Sequence, residues 1–522
     1  MDKQAHDVAI IGGGLAGLTL ALQIRQSQPD LSVTVLERSK LPPPVAAHKI
    51  GESTVEIGAH YLSDTLGLSD LLEKTHLRKF GLRLFFGAGV RDDLAEADEL
   101  GASRLLPAIS YQIDRGQLEG DLAELAKERG VTLLDDCLVR DTKLASNGGS
   151  HTIDVGIEGE ARSIESRWVV DAASRAKVLK RDLGLSRPSE HRMASAWFRL
   201  DTVIDVNRWS GDEDWLKRCA RPRRLSTNHL MGPGYWVWII PLAGDRTSIG
   251  LVADPAIHPL SSFSTFERLR EWLAEHQPKL ADEVEDASDT LMDFAFMKNL
   301  SQDSEQVWSR ERWALTGEAG LFSDPFYSPG SDFIGIGNTF ICDMIRRERA
   351  GDQFPAHAAV YQQMYKSFFG STMSLYENLY PGFGDTRLMV VKTTWDYAYY
   401  WSVLTWLYFR DVMTDIEFLR EIQPRLVELR ELNLAMQSAF RDRAALRNQD
   451  DGRGRFFDQT AIPILYDLNA ALLEPTGDRE RELSDNHAML HKLSPKLIDL
   501  LADDARPKAC GLLGDLGQRL AQ

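Results

Sequence analysis

The 522-residue chain reads as α/β, with a mainly β part inserted into it and an α-helical C-terminal region. Three observations predict this. Two strand-like runs flank a glycine-rich turn and an apolar-periodic run within the first forty residues. Strand-like runs then dominate a middle stretch, about 185–295. Beyond about Asp352 nearly every segment carries helical patterning.

The first element is Asp7 to Ile11, an apolar run suited to a fully buried strand. Gly12-Gly13-Gly14-Leu15-Ala16-Gly17 follows at once, and Leu18 to Gln26 continues with helical spacing. A second strand, Ser32 to Leu36, ends on Glu37 and Arg38. This is G-x-G-x-x-G between strand and helix, with an acid twenty residues past Gly17. Gly12 permits the tight turn, Gly14 lets a pyrophosphate approach the backbone, and Gly17 lets helix and strand pack closely. The free N–H groups of the helix start, around Ala16, suit phosphates, and Glu37 suits ribose hydroxyls. The pattern therefore predicts a Rossmann-type dinucleotide-binding unit. A glycine turn in an ordinary βαβ unit is the plainer alternative.

Pro42-Pro43-Pro44 marks a loop, and Asp92 to Glu99 an acidic surface stretch. Asn147-Gly148-Gly149 is a turn between the strand-like runs Val131–Thr142 and His151–Ile157. Further strands are expected at Arg167–Ala172, Ala194–Leu200, Tyr235–Pro241, Thr247–Val252 and Trp313–Gly317, with helical patterning from Phe263. The helical region is broken at Pro381-Gly382, Asp450–Arg455 and Pro475–Gly477. The division this suggests is 1–350 for the dinucleotide module with its insertion, and 351–522 for the helical region.

Composition narrows the function. A net charge of −17 disfavours nucleic acid and anionic membrane as partners. Four cysteines, at 137, 219, 342 and 510, lie far apart without a C-x-x-C, so neither a disulfide framework nor a zinc site is expected. The 12 histidines offer no ligand spacing that stands out, and no metal is expected. The start of the chain carries no signal-peptide pattern, and a reduced, cytoplasmic setting fits. The most lipid-like stretch, Tyr397 to Phe409, falls short of the ~20 residues that a spanning helix needs. A buried or groove-lining helix is expected there.

Four further motifs stand out. Tyr111-Gln112-Ile113-Asp114-Arg115 resembles the x-Q-x-D-R segment of flavoprotein monooxygenases, whose arginine lies near the cofactor. Val169-Val170-Asp171-Ala172-Ala173-Ser174-Arg175 resembles their I-D-A-S-G-R strand end. Gly317-Glu318-Ala319 with Asp324-Pro325 resembles their G-D-A … D-P motif, whose acid reaches the ribityl hydroxyls of FAD. Trp236-Val237-Trp238-Ile239-Ile240-Pro241 resembles the W-x-W-x-I-P signature of flavin-dependent halogenases. At period two Trp236 and Trp238 share a face, so packing of a sheet would also explain them.

Two more segments resemble that halogenase family. Gly51-Glu52-Ser53-Thr54 is similar to its flavin-contact loop, and Lys79-Phe80-Gly81 begins a run similar to its K-x-G-x-x-F-x-x-G strand. Alternation places Lys79, Gly81 and Arg83 on one face; a solvated surface lysine is the plainer reading. The resemblance implies that Lys79 is catalytic, holding and aiming a hypohalous acid at an aromatic carbon. Asp324-Pro325-Phe326-Tyr327-Ser328-Pro329-Gly330 resembles the family's halide loop, in which Ser328 and Gly330 would sit at the halide. Pro329 has no N–H to offer there. Tyr327 stands where members acting on tryptophan usually carry Glu, which points to the phenol- and pyrrole-type branch. Trp395, Tyr399, Ser402 and Trp406 form a stripe at helical spacing, which reads as core or as a wall over an aromatic substrate.

Taken together, the resemblance implies FADH2-dependent halogenation of a phenol, pyrrole or indole with O2 and chloride or bromide, fed by a separate flavin reductase. FAD would be held by Gly12, Gly14, Ala16, Gly17, Glu37, Arg38, Ser53, Arg115, Glu318, Asp324 and Gly330. Trp236, Trp238 and Pro241 would wall the flavin from the substrate. An aromatic hydroxylase on the same fold, or a flavoprotein acting on a protein- or carrier-bound partner, are the alternatives.

Overall fold

The computed structural model describes residues 4–45, 49–146, 148–448 and 452–502; Asn147 of the expected turn, Asp450 of the expected break and Cys510 lie outside them. The chain folds into two compact units. One comprises Met1–Lys74, Ile113–Glu190 and Ser301–Phe369, and the other Thr75–Gln112, His191–Leu300 and Gly370–Gln522.

The first unit is built on a sheet in which strands Thr132–Leu134, Val33–Leu36, Gln4–Ile11, Glu160–Asp171, His151–Ile157 and Cys137–Lys143 lie in that order. The strands at its heart are parallel: Gln4–Ile11 pairs with both Val33–Leu36 and Glu160–Asp171, and Trp313–Leu315 joins the latter. Ala9, Ile11, Val169 and Leu315 fill one core cluster with Ile153 and Val155. Parallel strands are buried on both faces, which is why Asp7–Ile11 and Val33–Leu36 read as continuous apolar runs. The Leu15–Ser27 helix crosses between them, burying Leu15, Leu18, Leu22 and Ile24.

The second unit carries an eight-stranded sheet. Its order is Leu291–Met297, Ala194–Leu200, Arg246–Ala253, Tyr235–Leu242, Thr227–Gly232, Leu82–Phe86, Asp98–Gly101 and Phe456–Asp458. Most neighbours are antiparallel; Thr227–Gly232 runs parallel to Leu82–Phe86. Phe85, Phe198, Val237, Ile249, Trp215 and Trp272 share its core. The helical part of this unit includes Thr386–Tyr399, Ile416–Ala444 and Arg479–Ala502. The aromatic segment Tyr397–Phe409 is not one regular helix: Tyr400–Thr405 is a π-helical turn. Among the described residues, no helix is long and apolar enough to cross a membrane.

Two expectations are corrected. Asp98 and Glu99 end the supposed acidic surface stretch, yet both are buried in a strand. Arg455 reaches Asp98 from far along the chain, and Arg83 and Arg223 pair with Glu99, so burial leaves neither carboxylate unpaired. Lys79, Gly81 and Arg83 do not alternate along one strand. Gly81 turns the chain at φ +73°, and Leu82–Phe86 begins only after it.

Candidate active site

In the first unit the glycine loop has the geometry a dinucleotide requires. Gly12 adopts φ +110°, where a side chain would strike the Ala172 carbonyl. A Cβ on Gly17 would collide with the Gly12 carbonyl oxygen, so helix and strand close only with glycine there. Gly14 caps the Leu15–Ser27 helix without a side-chain hydrogen bond, and a Cβ on it would meet nothing nearer than the Glu119 carboxylate at 3.8 Å. The Glu119 carboxylate, which accepts from the Leu15 N–H, borders the loop on this side, and no side chain of residue 14 stands over it. Glu37 faces it: Oε2 accepts from the Gly13 N–H at 2.7 Å and Oε1 from the Ser39 N–H at 2.9 Å. Arg38 beside it is exposed. These residues fit FAD.

Arg115 opens the Arg115–Glu128 helix, capped by Asp114. Its Nη1 donates to the Ile50 carbonyl at 2.8 Å, which ties it to the Gly51-Glu52-Ser53-Thr54 loop, where Ser53 is buried. Its Nη2 donates to Glu119 Oε1 at 2.6 Å. Glu119, which the sequence reading passed over, is fully buried and also accepts from the Leu15 N–H at 3.2 Å. Burial works to raise its carboxyl, but Arg115 and Lys49 together hold it below the usual range. Its spacing of four from Arg115 on a helix was the available signal.

The two altered flavoprotein motifs meet. Ser174 Oγ donates to Glu318 Oε2 at 2.9 Å, and Arg175 Nε lies 3.2 Å from the same oxygen. Gly317, at φ +59°, brings this turn against Ala16, whose Cβ would lie 2.9 Å from a Cβ at 317. Lys180 Nζ secures the next turn through the Gly320 carbonyl at 2.7 Å; burial brings this ammonium down to about 8. Asn338, also passed over, is fully buried and gathers the parts: it donates to the Ala16 carbonyl at 3.1 Å and to Tyr61 at 2.9 Å, and accepts from Thr316 at 2.7 Å.

In the Asp324–Gly330 loop, Asp324 Oδ1 accepts from the Phe326 N–H at 2.9 Å. Tyr327 and Ser328 both sit in the left-handed region, at φ +68° and +59°. The Ser328 N–H is used on the Pro325 carbonyl at 2.9 Å. Pro329 caps the 21-residue helix Gly330–Ala350, so the first helical N–H groups belong to Gly330 and Ser331. Residues 331–338, polar and glycine-rich, lie inside that helix.

In the second unit, Lys79 is 5% exposed rather than solvated. Its N–H donates to the Ser110 carbonyl at 2.9 Å. Its charge is felt by His229, which is completely enclosed; burial holds that imidazole well below the usual histidine range, and Lys79 adds to the shift. The His229 ring lies 4.6 Å from that of Trp236, which lies 5.7 Å from Trp238. Trp236 Nε1 donates to the Tyr380 hydroxyl at 3.0 Å and Trp238 Nε1 to Ser248 at 3.1 Å. Pro241 is buried in the same strand. Trp236 thus packs against the His229 ring on which the charge of Lys79, far away in sequence, acts. A lone histidine in a strand offered no motif by which to find it. Of the C-terminal stripe, Trp395 and Trp406 are core: their indoles bond to Asn433 at 2.9 Å and to Glu482 at 2.8 Å.

Residues 7–63 match a family model described as lycopene cyclase protein. A flavin-dependent halogenase of Dictyostelium discoideum is 25% identical over 432 residues, 76% of this chain and 70% of that protein. A 1H-pyrrole-2-carbonyl-[peptidyl-carrier protein] chlorinase of Pseudomonas fluorescens is 24% identical over 63% of this chain and 73% of its own. The crystal structure of halogenase PltM in complex with phloroglucinol and FAD superposes with a TM-score of 0.65 at 16% identity, covering 95% of this chain and 96% of the other. In sequence over about three quarters of its length, and in fold over nearly all of it, this chain is similar to flavin-dependent halogenases.

Proposed function

We propose that the chain is an FADH2-dependent halogenase that uses O2 and chloride or bromide on an electron-rich aromatic ring, such as a phenol, pyrrole or indole. Reduced FAD is taken from a separate reductase. When bound, it supplies with O2 the oxidising equivalent that turns halide into hypohalous acid. The chain's own residues do the rest. Gly12, Gly14, Ala16 and Gly17 receive the pyrophosphate against the helix N-terminus, and Glu37 with Arg38 takes the ribose end. Ser53, Arg115, Glu318 and Asp324 serve the remainder of FAD, and Ser328 and Gly330 shape the halide loop. Trp236, Trp238 and Pro241 form the wall.

Lys79 donates a hydrogen bond to the hypohalous acid, or carries its halogen as a chloramine. A compact ammonium suits this and a planar guanidinium does not. The observation that supports the reading is the burial of Lys79, whose charge acts on a buried His229 that packs against the Trp236 ring. Ring hydroxylation requires no such ammonium. The relatives' names add that a pyrrole held on a peptidyl carrier protein, and phloroglucinol, a phenol, are handled by similar proteins. Tyr327 in place of glutamate agrees with that branch, and a carrier-bound ring is the second reading.

The test is mass spectrometry of a panel of phenols, pyrroles and indoles, free and carrier-loaded, incubated with enzyme, flavin reductase and either halide. Products bearing one halogen, formed only with halide present, are expected. Ring oxygenation that ignores halide would establish the hydroxylase instead.

A further inference from the structure

His487 and His491 lie one turn apart on the Arg479–Ala502 helix, with ring centroids 4.5 Å apart. The Ile416–Ala444 helix supplies Glu428, whose Oε2 is 3.0 Å from His487 Nε2. One ligand atom from each of the three lies within 4.8 Å of the other two. H-x-x-x-H is a ligand spacing on a helix, so the reading of the histidines as lacking one is corrected here.

We propose that Glu428, His487 and His491 bind a divalent transition ion, zinc in the first instance. The donor set decides the class. Two imidazole nitrogens and one carboxylate oxygen suit zinc, whereas calcium and magnesium take all-oxygen shells of six or more ligands. Ligand atoms around tetrahedral zinc, bound at about 2.0–2.2 Å, stand roughly 3.3 Å apart. His487 and Glu428 already meet that separation, and the side chains are exposed enough to close the rest: His487 is 24% exposed and Glu428 60%. Water completes the fourth position.

The ion would staple one helix to the other. Its effect reaches further, because Asn486, next to His487, donates to the Ser402 carbonyl at 2.9 Å within the π-helical turn Tyr400–Thr405. A π turn displaces backbone carbonyls from their regular partners, and such turns persist where something else satisfies them. Zinc at His487 therefore fixes the residue that holds the aromatic turn in place.

The experiment uses full-length protein stripped with EDTA. Zinc titration by calorimetry, cobalt absorption spectra and thermal melts are run on the wild type, on His487→Ala/His491→Ala and on Glu428→Gln. One saturable site is expected, with intense tetrahedral cobalt bands and a melting temperature that climbs with zinc concentration. The double variant should bind at least tenfold more weakly and lose the cobalt spectrum. Glu428→Gln, an exposed change that leaves the fold intact, should weaken binding on its own. No saturable uptake by the wild type, or a site that survives in both variants, would overturn the proposal. None of these readouts depends on halogenation.

Discussion

At Lys79 the fold buries an ammonium instead of leaving it in water, and His229, on which its charge acts, is distant in sequence. Ser328 shows a different residue-scale effect. Its left-handed backbone penalises any side chain branched at Cβ. Ser328→Val should cost about 1–2 kcal/mol in thermal or urea melts, and Ser328→Gly nothing. Equal stability of the two variants would mean that the loop holds no strain. Pro329 bears on the halide. It removes one amide donor from the family-type loop, and a charge-assisted hydrogen bond contributes roughly 1.5–3 kcal/mol. Chloride is the more strongly hydrated ion, so the wild type should favour bromide in competition at equal concentrations. Pro329→Ser should move the ratio towards chloride; an unchanged ratio would show that Pro329 does not shape the site.

Among the elements, the glycine loop tests FAD binding most cleanly. A Cβ at Gly14 makes only ordinary contact with the Glu119 carboxylate, at 3.8 Å, so Gly14→Val should fold normally. It should still weaken FAD binding at least about tenfold by blocking the pyrophosphate. Fluorescence titration of flavin checks this, and unchanged affinity would remove the assignment. The Arg479–Ala502 helix is expected to be acid-sensitive. Burial works to raise the Glu482 carboxyl, but hydrogen bonds from Arg410, Thr476 and Trp406 hold it at about 2. A depressed carboxyl stabilises the fold above its unfolded value and ceases to do so as pH falls towards about 2. The melting temperature should therefore drop between pH 4.5 and 2, and the drop should be shallower in Glu482→Gln. Which elements were legible follows from locality. The strand–glycine loop–helix–strand unit is contiguous, and its chemistry is fixed by neighbours in sequence. Asp98 and Glu99 were misread because the arginines that permit their burial lie elsewhere in the chain, Arg455 over 350 residues away from Asp98. The Leu291–Met297 strand was missed because its partly exposed face gives no clean alternation.

For the whole molecule, the sequence holds no second G-x-G-x-x-G to seat a nicotinamide cofactor. NADPH alone should therefore bleach bound FAD slowly in stopped flow, and a flavin reductase should supply the electrons. Rapid bleaching by NADPH would favour a self-sufficient hydroxylase. The cofactor residues were legible because FAD is recognised by backbone and by motif. The surroundings of Lys79 were not, because His229 comes from a strand with no signature of its own. The most direct measurement is product and peroxide yield per O2 consumed, in the wild type and in Lys79→Ala, with reductase, halide and a phenol or pyrrole that the enzyme accepts. The wild type should convert O2 largely into halogenated product. Lys79→Ala should bind FAD and consume O2 at similar rates, release peroxide, and lose product on the order of a hundredfold or more. Near-normal product yield from Lys79→Ala would contradict the role given to this lysine.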